Sequence, residues 1–275
     1  MFKVACLCLL AAGAAFGDLG EIVLSYAAPA AAPISLAYGT NETQLWVYCN
    51  DPPFNIYRVN ADTGSVIEST VSPRQRYTRG LAYVAGGYLF IGDYSTDVIY
   101  RVRSDNVTSI VSSFSAGHNM YGGLSLKGTG DGGTGGHRLW STKFVQIGMM
   151  SGRGRGNVPA DDWDFAVYLH NRTTGSIVRS FMPPGGAYDV AWDWRNEILW
   201  SANSALRAYT EAGSLLGSFR YKRGYSDRYL VGLCYDGEYL WAGSTYPVAE
   251  ILKIHCPGDI AVKPLSLGRV KTLYR

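Results

Sequence analysis

The chain is poor in charge, in histidine and in usable cysteine. Charged residues make up 17% of its 275 residues, and 25 Lys and Arg against 22 Asp and Glu leave a net charge of only +3. So small an excess does not support a nucleic-acid binder, and 47% hydrophobic residues exclude a disordered chain. Of five cysteines, Cys6 and Cys8 fall in an N-terminal leader, leaving Cys49, Cys234 and Cys256. An odd number cannot close a disulfide framework, so stability must come from an apolar core. No apolar run reaches the ~20 residues of a membrane-spanning helix. Catalytic signatures are missing too: there is no Gly-x-Ser-x-Gly elbow and no His-Glu-x-x-His pair.

What is present begins with the leader. Lys3, an apolar run from Val4 to Phe16 and the small residues of Ala15-Phe16-Gly17 read as a signal peptide over residues 1–17, with a mature chain starting near Asp18. The expected address is secreted, extracellular or periplasmic. Asn41-Glu42-Thr43, Asn106-Val107-Thr108 and Asn171-Arg172-Thr173 are acceptor sequons, read as chance occurrences in loops.

An internal repeat dominates the rest. Segments starting at Leu36, Leu81, Leu124, Val190 and Leu233 recur at intervals of 45, 43, 66 and 43 residues. Each is followed by a second apolar segment with an aromatic at one place: Leu45-Trp46, Leu89-Phe90, Leu139-Trp140, Leu199-Trp200 and Leu240-Trp241. A third segment follows, as in Ile56-Tyr57-Arg58-Val59 and Ile99-Tyr100-Arg101-Val102, and then a fourth, as in Ser65 to Ser69 and Ser176 to Phe181. Four short β-rich runs per ~45 residues is the pattern of a propeller blade. No window carries helical periodicity over a dozen residues. The fifth copy lacks a fourth run, whereas Gly20 to Tyr26 matches one and precedes the first copy. The expectation is an all-β, five-bladed β-propeller over residues 18–256, its last blade closed by the N-terminal strand, with a C-terminal tail over 257–275.

The repeat form, Gly-Leu-x-Tyr-x-x-x-x-Leu-Trp, then Ile-Tyr-Arg-Val, then Thr-Gly-Ser-Val-Ile, resembles secreted bacterial propeller repeats of the YVTN/NHL-like kind. That resemblance implies a fold rather than an activity. Tyr77-Thr78-Arg79-Gly80-Leu81 also resembles the Phe-Thr-Gln-Gly-Leu of the five-bladed glutaminyl cyclotransferases. Where that family continues into a Tyr-Glu-Ser-Thr-like stretch, this chain has Phe90-Ile91-Gly92-Asp93-Tyr94, with Asp93 one step out of place.

Positions at which the copies diverge into polar residues are the candidates for a ligand. Three residues after each aromatic anchor stand Cys49, Asp93, Lys143, Asn203 and Ser244. With the loops before the first strands, this predicts a ligand site of Arg79, Asp93, Tyr94, Lys143, Trp163, Tyr188, Asp189 and Asn203 around one mouth of the ring. The long interval adds a loop, roughly Val145 to Trp163, on the same face, a candidate lid. Its Asp161 and Asp162 read as a solvated acidic stretch. Cys234 reads as a packing residue. Arg74, Arg76, Arg79, Arg220, Lys222, Arg223 and Arg228, interleaved with tyrosines, suit a carbohydrate with acidic groups or a protein ligand. His118 is expected on this face and His137, His170 and His255 near the other, so no zinc cluster is expected. The reading is thus a non-catalytic, monomeric binding propeller with no cofactor, metal or nucleic-acid partner. The alternative is a lyase or cyclotransferase with an acidic site at the channel mouth, such as Asp93 with Asp189.

Overall fold

A computed structural model describes residues 21–39, 43–120, 122–127, 138–146, 163–184, 186–202, 205–219, 230–245 and 248–255, without the side chains of 144–146, 163–165 and 219. Residues 1–20, most of residues 145–163 and residues 256–275, on which the expected leader, candidate lid and tail fall, lie outside these residues, as do Asn41, Asn203 and the basic stretch from Arg220 to Arg228.

The described strands form five four-stranded antiparallel sheets. The first strand, β1 (Ile22–Ala27), stands apart from the run of blades that follows it. Blade 1 is β2 (Pro33–Gly39), β3 (Gln44–Cys49), β4 (Asn55–Asn60) and β5 (Val66–Val71), and blade 2 is β6 (Thr78–Val84), β7 (Tyr88–Asp93), β8 (Val98–Arg103) and β9 (Ile110–Ser115). Blade 3 is β10 (Leu124–Lys127), β11 (Arg138–Gln146), β12 (Trp163–Asn171) and β13 (Ile177–Phe181). Blade 4 is β14 (Asp189–Asp193), β15 (Ile198–Ala202), β16 (Leu206–Thr210) and β17 (Leu215–Phe219). Blade 5 contributes β18 (Leu230–Tyr235), β19 (Tyr239–Ser244) and β20 (Glu250–His255), and its outer place is taken by β1, antiparallel to β20 from Ile22 opposite Ile254 to Ala27 opposite Glu250. The N-terminal strand therefore closes the ring, and the only helical turn described is the 3₁₀ segment Gln75–Tyr77.

The repeat reads directly onto the interfaces between blades, because strand side chains alternate between the two faces. Leu45, Leu89, Leu139, Leu199 and Leu240 face the preceding blade and are fully buried. The next residue, Trp46, Phe90, Trp140, Trp200 or Trp241, faces the following blade. Full burial of each such side chain stabilises by about 1.5–3 kcal/mol. Five apolar clusters result, one at each junction between neighbouring blades.

The invariantly small residue of the first strand now has a cause. Ala37, Ala82, Ser125, Ala191 and Cys234 lie directly opposite Trp46, Phe90, Trp140, Trp200 and Trp241 in the strand register. A large side chain there would compete with the aromatic ring for the same space. Cys234 packs in this way: it is 7% exposed within the cluster between blades 5 and 1.

The closing strand also reproduces a contact made by two other outer strands. Gly64 adopts φ +73°, and a Cβ there would fall 2.6 Å from Cγ of Tyr26 on β1. Gly175 and Gly213 stand in the same relation to Phe114 and Phe181 of their preceding blades. An aromatic at the end of three of the outer strands thus seats on the turn glycine of the next blade.

Candidate functional site

The first strands begin at one end of the ring axis, and the residue preceding each invariant apolar position is Ser35, Gly80, Gly123, Asp189 or Gly232. Four of these are small. One residue earlier stand Ile34, Arg79, Gly122, Tyr188 and Val231, and all five, joined by Asn50 and Gly80, line an axial cavity of about 160 Å³. Each blade therefore contributes the same repeat position to one mouth, and only Arg79 brings a charge.

Arg79 is held from two sides. Its Nη1 donates to the Thr78 carbonyl at 2.8 Å and the Arg76 carbonyl at 3.4 Å, and lies 3.5 Å from Oδ1 of Asn50. Its guanidinium sits 4.7 Å over the ring of Tyr94, which meets Tyr77 edge-on at 5.5 Å. The Tyr48 hydroxyl lies 3.1 Å from Asn50 Oδ1 and 2.7 Å from the Gln75 carbonyl, fixing the Asn50 side of the mouth. A fork of donors beside a carboxamide and the Tyr188 ring suits a carboxylate, sulfate or amide group. The cavity is smaller than the ~300–1,000 Å³ of drug-sized pockets, so it fits one group of a larger ligand.

Of the sequence-predicted residues, Arg79 and Tyr188 line this cavity, and Tyr94 supports Arg79 from behind. Asp93 does not line it. Its position in the repeat faces the preceding blade, where Cys49, Asp93 and Ser244 are all fully buried, so divergence there reflects packing and turn chemistry rather than a ligand ring. Oδ1 of Asp93 accepts from Ser95 N at 2.8 Å and Ser95 Oγ at 2.7 Å; Oδ2 accepts from Thr96 Oγ1 at 2.9 Å and from Arg74 Nε. Burial alone would raise its pKa, but the bonds from Ser95, Thr96 and Arg74 outweigh it and hold the carboxyl below the usual range. Lys143 is half-buried beside His118, on which its charge acts. The Trp163 side chain and Asn203 lie outside the described residues. Asn50 was missed because it follows the repeat position that sequence comparison singles out.

Asp189 lies one residue beyond the mouth and is fully buried. Its Oδ1 accepts from Val190 N at 2.7 Å and its Oδ2 from Leu233 N of blade 5 at 2.9 Å. A Cβ on Gly123 of blade 3 would fall 1.3 Å from Asp189 Oδ1, so that glycine makes room for the carboxyl. One side chain thus ties blades 4 and 5 together at the axis and packs against blade 3. Desolvation raises its pKa well above the usual value, against the pull of the two amides. Asp93 and Asp189 are each engaged in separate bonding networks.

The thiols show no activation. Burial pushes Cys49 up to about 12 and raises Cys234 well above its ordinary value. Among the described residues no three His, Cys, Asp or Glu side chains converge as a metal-binding group. Two histidines nevertheless meet, contrary to the expectation that they face opposite ends. The β9–β10 connection drops between blades 2 and 3, burying Ala116 and Met120 in their interface, and brings His118 Nε2 to 3.3 Å from His170 Nε2. Desolvation, the adjacent imidazole and Lys143 bring His118 down to about 4.

No family model matches the chain, and no curated protein matches its sequence. Solved structures do match. The glutaminyl cyclase of Myxococcus xanthus superposes with a TM-score of 0.58 at 8% identity, covering 86% of this chain and 98% of that one. The Cps50 (Swd1) β-propeller domain of Myceliophteria thermophila gives 0.49 at 10% identity over 85% and 98%. Hydrazine synthase of Kuenenia stuttgartiensis gives 0.48 at 13% identity over 80% of this chain, which spans only 57% of that one. At such identities the likeness to the cyclase concerns the fold alone, and with the described strands it makes this chain a five-bladed β-propeller.

Proposed function

We propose that the protein is a secreted, non-catalytic β-propeller that binds an anionic glycan or protein ligand on the face carrying the 145–163 loop, with Arg79 as the anchor at the axial mouth. The observation carrying this reading is that Arg79, alone of five equivalent positions, brings a charge into the axial cavity, beside Asn50 and Tyr188. Both carboxylates that could have served a reaction, Asp93 and Asp189, have their oxygens occupied by internal donors. Calorimetry and thermal shift with acidic and neutral oligosaccharides test the proposal. A ligand at 100 times its Kd should stabilise the fold by about 2.7 kcal/mol. Acidic sugars should produce the shift, and Arg79→Gln should weaken binding roughly 10- to 100-fold, the worth of a charge-assisted bond. No shift with any sugar would remove the glycan and leave a protein ligand.

A second reading is supported by the likeness to a glutaminyl cyclase and by Asp189, a carboxyl near the axis whose burial favours the protonated form. A neutral carboxyl can act as a general acid in a cyclotransferase or lyase. Turnover of glutaminyl peptides that Asp189→Asn abolishes, in a variant that still folds, would replace the binding proposal with this one.

A further inference from the structure

The junction between blades 2 and 3 carries a polar cluster where blades 1, 2 and 5 carry hydrocarbon and blade 4 carries Ser201 and Tyr209. His170 stands opposite Leu139 in the register, the place held by Val59, Val102 and Ile254 in blades 1, 2 and 5. Ser141 takes the place of Val47 and Ile91. Both are fully buried, and replacing apolar core residues with polar ones costs stability unless their bonding is complete.

It is not complete. The Nδ1 of His118 lies 3.0 Å from the Asn119 carbonyl and the Nδ1 of His170 lies 3.2 Å from the Gly175 carbonyl. A carbonyl only accepts, so each Nδ1 bears the hydrogen and each neutral ring presents a bare lone pair at Nε2. Those two lone pairs face each other across 3.3 Å, and the Ser141 hydroxyl stands 2.8 Å from one and 2.7 Å from the other. One hydroxyl hydrogen can serve only one of them. The His118 ring is fixed by stacking on Tyr168, with centroids 3.9 Å apart and planes 11° apart.

We propose that this cluster is a binding site for a borderline transition-metal ion of the zinc class, held by Nε2 of His118, Nε2 of His170 and the hydroxyl of Ser141, with water completing the shell. Ligands about 2.0–2.1 Å from a tetrahedral ion lie about 3.3–3.4 Å apart, which is the separation of the two nitrogens, whereas the Ser141 hydroxyl, at 2.8 and 2.7 Å from them, must move outward by about 0.5 Å to join the shell. Backbone carbonyls on both Nδ1 atoms supply the outer bonds that orient imidazole ligands. A hard ion such as calcium is disfavoured, since the cluster has no carboxylate. Lys143 lies close enough for its charge to act on His118, and it weakens the site for a dication. None of these residues lines the axial cavity, so the site is independent of the ligand proposed there.

Titrating the untagged full chain with zinc ion in a calorimeter tests the assignment, with cobalt ion as a spectroscopic substitute. One equivalent should bind, and the cobalt spectrum should be that of a four-coordinate ion with nitrogen ligands. His118→Gln, at a half-buried loop position, should weaken binding by about 100-fold or more, while His255→Gln, a control on blade 5, should leave it unchanged. Lys143→Met should tighten it. Absence of stoichiometric binding in the wild type, or binding insensitive to His118→Gln in a variant with native circular dichroism, overturns the proposal. So does cobalt bound with an all-oxygen spectrum.

Discussion

Asp93 and Asp189 are both fully buried carboxyls, yet their environments drive them in opposite directions. Asp93 receives four hydrogen bonds, one from a guanidinium, and its pKa falls; Asp189 receives two amides in a drier place, and its pKa rises. A depressed folded pKa means stability that is present above the unfolded value of about 3.9 and is lost as pH falls through the folded one. Asp93→Asn should therefore cost about 2–4 kcal/mol at neutral pH, and urea denaturation should show the gap to wild type closing under strong acid. For Asp189 the sign reverses. The fold prefers the protonated form, so ionisation costs stability as pH climbs above about 3.9, and wild type should gain on Asp189→Asn as pH falls toward 4. A gap that is flat with pH would show that Asp189 does not titrate in this way. Gly123→Ala should destabilise by about 1–3 kcal/mol or more, because the new methyl falls on the Asp189 carboxyl. These roles were hidden in the sequence. Asp93 sits in a repeat position whose divergence looks like a ligand ring, and only the facing of its side chain toward the preceding blade reveals a turn staple. Arg79 and Tyr188 could be placed at the mouth because each stands two residues before an invariant apolar position and inherits its geometry.

At the scale of elements, the ring stands on β1. The strand was recognisable because its Gly20-Glu21-Ile22-Val23-Leu24-Ser25-Tyr26 repeats the outer-strand form without a blade of its own. The structure adds what repetition alone does not show: Tyr26 seats on Gly64 of blade 1, while Leu24 and Tyr26 cover the cluster between blades 5 and 1. Removing residues 21–27 exposes the β20 edge and uncovers that cluster. The expected loss is on the order of 3 kcal/mol, or roughly 6–12 °C in a domain of this size. A synthetic peptide of residues 20–28 added in trans should recover part of it by re-forming the strand, as in strand-addition complexes. An unchanged melting temperature in the deletion would mean that the ring does not depend on its closure. Blade count and strand order were legible for one reason: each Leu-aromatic pair must present its two side chains to opposite neighbours, so the pattern recurs wherever a blade does. The meeting of His118 with His170 was not legible, because His118 lies in a connection that no other blade repeats.

In the whole molecule, the five junctions are not equal. Those between blades 1 and 2, 3 and 4, 4 and 5, and 5 and 1 each bury at least one tryptophan, whereas the junction between blades 2 and 3 has Phe90 instead. The same junction places Ser141 and His170 where blades 1, 2 and 5 have hydrocarbon, and its inner strand β10 spans four residues where β2 and β6 span seven. A smaller aromatic anchor, a short inner strand and an incompletely bonded polar cluster place the weakest seam of the ring there. A closed ring opens at its weakest junction before its sheets come apart, so local openings of low free energy should concentrate on the facing strands. Native-state hydrogen exchange resolved by peptide should therefore show β10 exchanging faster than β2 and β6, its counterparts in blades 1 and 2. An ion bound by the two imidazoles would close this seam, and zinc should slow exchange in β10 while leaving β2 unchanged. Equal protection of all first strands would place the weak point elsewhere, and slower exchange throughout the ring on adding zinc would mean that the ion acts on global stability rather than on this junction.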